Sequence, residues 1–117
     1  MKKILLTLLL AITTSVTFGQ SKKVATAVIK TEIFCDHCSK CSSCGQNIYN
    51  KLTENKGVKS VKIEDEINAI TVKYKPSKIT LAELEKAIAN AGYQANETPA
   101  DGDAYNNLDN CCKKKEN

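Results

Sequence analysis

The sequence predicts an α+β fold of order strand–helix–strand–strand–helix–strand, and three observations carry that expectation. Runs of alternating apolar and polar side chains at 24–34, 58–65 and 69–74 have the period of strands with one buried face. Two stretches, 44–57 and 79–93, instead repeat their apolar residues every three or four positions, the period of a helix with one buried stripe. Gly57, Pro76 and Gly92 punctuate these runs where an element must end.

The first run, "VATAVIKTEIF" (24–34), puts Ala25, Ala27, Ile29 and Ile33 on one face and Lys30 and Glu32 on the other. The first helix carries Cys44, Ile48 and Leu52 as its stripe, and Gly57 is expected to stop it by adopting positive φ. In "VKSVKIED" Val61 and Ile63 share a face, with Val58 where the run begins. "AITVKY" alternates Ile70, Val72 and Tyr74, so the two runs read as an antiparallel hairpin around the polar "EDEIN". Pro76 closes it, because proline cannot donate to a ladder. The second helix is the most fully signed. Thr80 and Glu83 have capping-box spacing, Ile79 and Leu84 fit a hydrophobic staple, Leu81, Leu84, Ile88 and Ala91 form the stripe, and Gly92 caps the end. "YQANE" (93–97) is expected as a short final strand. That order is the ferredoxin-like βαββαβ sandwich, a four-stranded antiparallel sheet with two helices on one face.

The ends divide the chain. "MKK", the apolar "ILLTLLLAI" and the polar "TTSVTFGQ" have the order of a secretory signal peptide and are too short for a stable membrane span. Thr17 and Gly19 suit a cut after Gly19, and a cut one residue later fits nearly as well. The expected organisation is a signal peptide at 1–19, one small domain at 20–97 and a polar tail at 98–117 that carries Cys111 and Cys112. The mature chain is then secreted or periplasmic, with no membrane span. Losing Lys2 and Lys3 takes the formal charge from +4 to +2, and all 17 basic residues are lysines. So mild a charge without arginine forks argues against nucleic-acid recognition.

The chemistry lies in "FCDHCSKCSSCGQNIY" (34–49), where Cys35, Cys38, Cys41 and Cys44 recur at every third position. Six cysteines in a small exported chain point first to three disulfides. A bridge stabilises through the length of the loop it closes, and two-residue loops contribute little. Only Cys111 and Cys112 lie far enough away to staple the cluster to another part of the fold. The alternative is metal chemistry. The cluster falls between the first strand and the first helix, with Cys44 in the helix's first turn, where unpaired N–H groups favour anions, and Lys40 acts in the same direction. Soft thiolates at such a place suit Cu(I), Zn(II) and Hg(II). Four thiolates suit either a closed Zn(II) site or a pair of Cu(I) ions, while the separated fourth cysteine of iron–sulfur runs is missing. His37, the single histidine, is either an added ligand or an exposed loop residue.

Cys41 and Cys44, Ile48, Leu52, Gly57-Val58 and Gly92-Tyr93 follow one another at the spacing of the heavy-metal-associated domain family, which the chain resembles over 24–97. The resemblance implies one soft ion, Cu(I) foremost with Zn(II) and Hg(II) as alternatives, held by the Cys41/Cys44 pair. It implies handover to a metal-transporting ATPase or another efflux or uptake component, without catalysis. It further implies a monomer, or a dimer bridged by metal. Tyr93 matches a tyrosine that shields the metal loop in bacterial relatives, though a core role suits it equally.

Three departures stand out. Ile33 and Ser39 occupy the places where the family carries methionine. The motif is doubled, since "CDHC" fits when counted from the strand and "CSSC" when counted from the helix. A tail with Tyr105, Leu108, Cys111 and Cys112 is added. Cys35 and Cys38 become a second pair beside the core one, and His37, Cys111 and Cys112 are further candidate ligands. Lys22, Lys23, Lys40, Lys51 and Lys56 form either a docking face for an acidic partner or a solvated surface. Two other readings stay open: a thiol–disulfide oxidoreductase, since C-x-x-C near a helix N-terminus is also a redox motif, and a purely structural disulfide domain.

Overall fold

The computed structural model describes residues 23–34 and 44–114 of the chain. Among them, β1 (Ala25–Lys30), β2 (Val58–Glu64) and β3 (Ala69–Tyr74) form one antiparallel sheet in the order β1-β3-β2. Helices α1 (Gly45–Thr53) and α2 (Leu81–Asn90) follow β1 and β3, and a short α3 (Gly102–Asn106) lies in the C-terminal segment. This is the ferredoxin-like α+β arrangement that the sequence predicts.

The strand register decides which side chains meet the helices. Ile29, Ile70 and Ile63 stand in one cross-strand row, and Ala27, Val72 and Val61 in the next. Both rows join the cluster that contains Ile48 and Leu52 of α1 and Leu84 and Ile88 of α2, so the two helices cover the same face. The opposite row, Val28, Thr71 and Lys62, faces away from them, and Val28 is exposed. Ile29, Ile48, Leu52, Ile70, Leu84 and Ile88 are fully buried, and each such side chain contributes about 1.5–3 kcal/mol relative to staying in water.

Val58 and Val61 both face the core although three positions separate them, which a regular strand forbids. A bulge resolves the conflict. The pairing shifts between Val58, opposite Tyr74, and Ser60, opposite Lys73, so Lys59 is the extra residue. At the far end of the hairpin a 3-10 turn (Asp65–Ile67) leads into Asn68, whose φ of 51° is left-handed. Asn68 accepts from Thr31 N–H at 2.9 Å through its backbone carbonyl and from Ile33 N–H at 3.1 Å through Oδ1. That holds the chain beyond β1 extended, and Thr31 and Ile33 are buried while Glu32 is exposed.

The capping box of α2 forms as its spacing predicts. Thr80 Oγ1 accepts from Glu83 N–H at 3.2 Å, and Glu83 Oε2 accepts from Thr80 N–H at 2.8 Å. Ile79, 3% exposed, lies in the core with Leu84 as the staple expects. Gly92 follows the last turn with φ +99°, the conformation that a helix-ending glycine supplies.

Four expectations are corrected. The strand expected over 24–34 is regular only to Lys30, because Asn68 takes over its hydrogen bonding from Thr31 onward. The final strand expected at 93–97 does not form among the described residues. Asn96 is left-handed there (φ 51°), which ends any extended run, and it meets β1 as a single residue. Its N–H donates to Lys30 O at 2.7 Å, and its Oδ1 accepts from Lys30 N–H at 3.0 Å. Leu81 is not in the α2 stripe but 41% exposed, whereas Ile79, two residues earlier, is 3% exposed and packs in the core. Gly57 neither stops α1, which ends at Thr53, nor has positive φ. Glycine is needed there for contact, because a Cβ would lie 2.7 Å from Ile79 Cγ2.

Two glycine substitutions separate these roles. Gly57→Ala is expected to destabilise the fold by about 1–3 kcal/mol through overpacking against Ile79. Gly102→Ala, where a Cβ meets nothing within 4 Å at the start of α3, is expected to be neutral or stabilising by up to about 1 kcal/mol. Urea denaturation of both variants checks the pair.

Candidate metal centre

The first turn of α1 sets the geometry of this end of the molecule. Cys44 is the N-cap of α1 rather than a residue inside its first turn, and its carbonyl accepts the first helical hydrogen bond, from Ile48 N–H at 3.1 Å. The side chain makes no capping hydrogen bond, and no acidic residue lies in the first turn. Among the described residues the first turn thus offers the positive end of the helix no carboxylate, a setting that favours an anionic sulfur or a negatively charged metal–thiolate complex. Cys44 is nonetheless fully buried, in one stripe with Ile48 and Leu52 as the sequence predicts. Asn47, in the same first turn, donates from Nδ2 to Ala91 O at 3.0 Å and ties α1 to the end of α2.

The tail covers this end. Asp101 N–H donates to Ala89 O at 2.9 Å, and the Asp101 carboxylate caps α3 by accepting from Ala104 N–H at 2.8 Å. A Cβ at Gly92 would meet Ala104 O at 3.0 Å and Leu108 Cδ1 at 3.1 Å, so the residue that ends α2 also admits the tail. Leu108 is 8% exposed and belongs to the main core. Beyond it a 3-10 turn, Asn110–Cys112, carries the two tail cysteines, and Tyr105 Oη accepts from Lys114 N–H at 3.0 Å to close the segment on itself.

The result is a cluster of three sulfurs. Cys44 and Cys112 form a disulfide with Cα atoms 6.2 Å apart, and Cys111 Sγ lies 3.9 Å from Cys112 Sγ. The Sγ atoms of Cys44, Cys111 and Cys112 all lie within 4.8 Å of one another. Cys112 is buried and Cys111 exposed. The bridge spans 68 residues, and closing a loop of that length in the unfolded chain corresponds to about 4 kcal/mol in the chain-entropy account.

Of the residues predicted for the site, Cys44, Cys111 and Cys112 are brought together, and Tyr93, 2% exposed, is buried in the cluster that also holds Cys44 and Cys112. Cys35, His37, Cys38 and Cys41 lie outside the described residues. Leu108, Gly92 and Asp101 contribute in ways the sequence reading missed. The available signals were an aspartate three residues before Ala104 and a leucine ahead of the cysteine pair.

The heavy-metal-associated domain model matches residues 28–94, and the chain belongs to that family. Among solved structures it is similar to a CopZ metallochaperone, at 24% identity and a TM-score of 0.52 over 61% of this chain and 98% of the other. It is similar to oxidized MerP from Ralstonia metallidurans CH34, at 23% identity and a TM-score of 0.53 over 63% and 96%. A third likeness is to the N-terminal domain of a potential copper-translocating P-type ATPase from Bacillus subtilis, in its Cu(I)-loaded state. There the identity is 20% and the TM-score 0.53 over 68% and 99%. These likenesses establish the fold. No curated relative matches the chain at a significant level.

The docking of the tail is testable through its disulfide. Leu108→Ala removes a core anchor worth about 2 kcal/mol. It is expected to speed reduction of Cys44–Cys112 by dithiothreitol roughly thirtyfold if reduction proceeds through local undocking. Ile67→Ala, at an exposed position on the hairpin turn, should leave the rate unchanged. Alkylation trapping followed by mass spectrometry reads both.

Proposed function

We propose that the chain binds a soft metal ion, Cu(I) foremost, through cysteine thiolates at the N-terminal end of α1, and carries it outside the cytoplasm to a metal-transporting partner. The observation that carries this reading is the place of Cys44. It caps α1 in a heavy-metal-associated domain, at the end of the 35–44 run that holds three further cysteines. Thiolates there meet the positive end of a helix whose first turn carries no acidic residue, which suits the net negative charge of a Cu(I)–thiolate complex.

Cys41 and Cys44 are the proposed core pair, Cys35 and Cys38 a second pair, and His37 an auxiliary ligand. Tyr93, buried at the end of α2, is the proposed shield. The role is carriage rather than catalysis, with the ion as cargo. The likeness to a metallochaperone and to the Cu(I)-loaded domain of a potential copper-translocating ATPase supports a soft ion and a transporter as recipient. The signal-peptide order of the first 19 residues supports an exported, periplasmic location. Among the described residues no helix is long and apolar enough to cross a membrane.

A second reading, a domain stabilised by disulfides, is favoured by the Cys44–Cys112 bridge. Stoichiometry separates the two. The anaerobically reduced chain is expected to bind at least one Cu(I) tightly in competition with a bathocuproine chelator. Cys41→Ser with Cys44→Ser should abolish that binding, whereas Cys35→Ser with Cys38→Ser should lower stoichiometry only. No uptake by the reduced wild-type chain would leave the disulfide reading standing, and turnover of a model disulfide would revive an oxidoreductase.

A further inference from the structure

The C-terminal Cys111-Cys112 pair goes unused by a metal site built on two C-x-x-C motifs, yet the fold works to bring it to Cys44. Three features converge on its placement. Asp101 caps α3, Gly92 leaves space for the Ala104 carbonyl and the Leu108 side chain, and Leu108 is held in the core. A tail serving only to keep the chain soluble has no reason to bury Cys112 to 1% exposure. The outcome is three Sγ atoms within 4.8 Å of one another, on two segments far apart in sequence.

We propose that Cys44, Cys111 and Cys112 form a three-thiolate site for a soft cation once the Cys44–Cys112 disulfide is reduced, so that the tail itself supplies ligands and covers the bound ion. The inference rests on the reading that this end of the chain binds a soft metal. Its geometry follows from sulfur spacing. Around an ion with metal–sulfur bonds of about 2.3 Å, three sulfurs in a trigonal plane lie about 4.0 Å apart. Cys111 and Cys112 already stand 3.9 Å apart. Opening the bridge requires the Cys44 and Cys112 sulfurs to separate from a bond of about 2.05 Å to about 4 Å, a displacement of about 2 Å. Cys112 lies on a three-residue turn, Asn110–Cys112, close to the end of the described residues.

The redox step is a thiol–disulfide exchange with a dithiol reductant. One reductant thiolate attacks a sulfur of Cys44–Cys112 and forms a mixed disulfide, and the second displaces the remaining protein sulfur. Two electrons pass to the protein, the reductant becomes a disulfide, and Cys44 and Cys112 leave as thiols that lose their protons on binding the cation. The reverse exchange, with a disulfide as acceptor, removes two of the three ligands and releases the ion. A partner that takes the ion from the reduced form must displace the tail sulfurs.

The test isolates the three sulfurs in the full chain. The triple variant Cys35→Ser/Cys38→Ser/Cys41→Ser, reduced with a dithiol under anaerobic conditions, is titrated with Cu(I) against a chelator and examined by copper K-edge X-ray absorption. One Cu(I) per chain with three sulfur neighbours is expected. Adding Cys111→Ser and Cys112→Ser should weaken binding roughly a hundredfold or more. No Cu(I) retained by the triple variant, or equal affinity without the tail cysteines, overturns the proposal. If the reduced triple variant unfolds, recovery of its circular dichroism on adding Cu(I) supports the site, and failure to recover counts against it. A companion Cys111→Ser/Cys112→Ser chain with the other four cysteines intact separates the two claims. Binding there but not in the triple variant removes the tail site alone, and binding in neither also removes the carrier reading.

Discussion

The cysteine-bearing end of the molecule depends on one constraint: Cys44 caps α1 while being buried and covalently joined to the tail. Its register in the helix makes this unavoidable, because Ile48 and Leu52, one and two turns on, anchor the same stripe in the core. A helix N-terminus normally turns toward water, where its free N–H groups are solvated. Here the first residue of the stripe is a sulfur, which tolerates burial as an apolar atom and still bonds covalently or to a soft cation. The same position is thus part of the core, a stapling point and a candidate ligand.

The tail depends on that constraint in turn. A five-residue helix such as α3 is far too short to persist by itself, so its order comes from Asp101, from the space at Gly92, from Leu108 and from the bridge to Cys44. The opposite flank of the cysteine run is fixed independently. Asn68 holds Thr31 and Ile33, and Asn96 holds Lys30, all through backbone groups at the end of β1. On either side of the cysteine run the described residues are therefore held by separate contacts, Ile33 through Asn68 and Cys44 through α1 and the bridge to the tail. Two asparagines in left-handed conformation do this work, each satisfying backbone groups that strand pairing would otherwise satisfy.

Much of this was legible in the residues. The inward faces of β1 and β3, the Cys44–Ile48–Leu52 stripe and the Thr80/Glu83 capping box follow from periodicity and local hydrogen-bond chemistry, which are written within a few positions. Most of the misreadings share a cause, a contact between distant segments. Gly57 reads as a helix stop because glycine usually serves that way, and its neighbour Ile79 is 22 positions on. Asn96 reads as part of a strand because nothing nearby signals its left-handed turn against Lys30. Leu81 reads as core because its spacing fits, while the neighbouring Ile79 is the residue that is buried. At the site, the short spacing of the four clustered cysteines showed that any long staple must reach Cys111 or Cys112. Which of the two pairs, and with which partner, depends on the docking of α3, which local sequence does not encode.

The proposed site requires the sulfur at the start of α1 to be a metal ligand and not only one end of a staple. Crystallography of the reduced, Cu(I)-loaded chain with copper anomalous scattering tests it most directly. An anomalous peak is expected within bonding distance of Cys44 Sγ, with the Cys44–Cys112 bridge open. A copper peak bonded only to sulfurs other than Cys44, with the bridge intact, would contradict it.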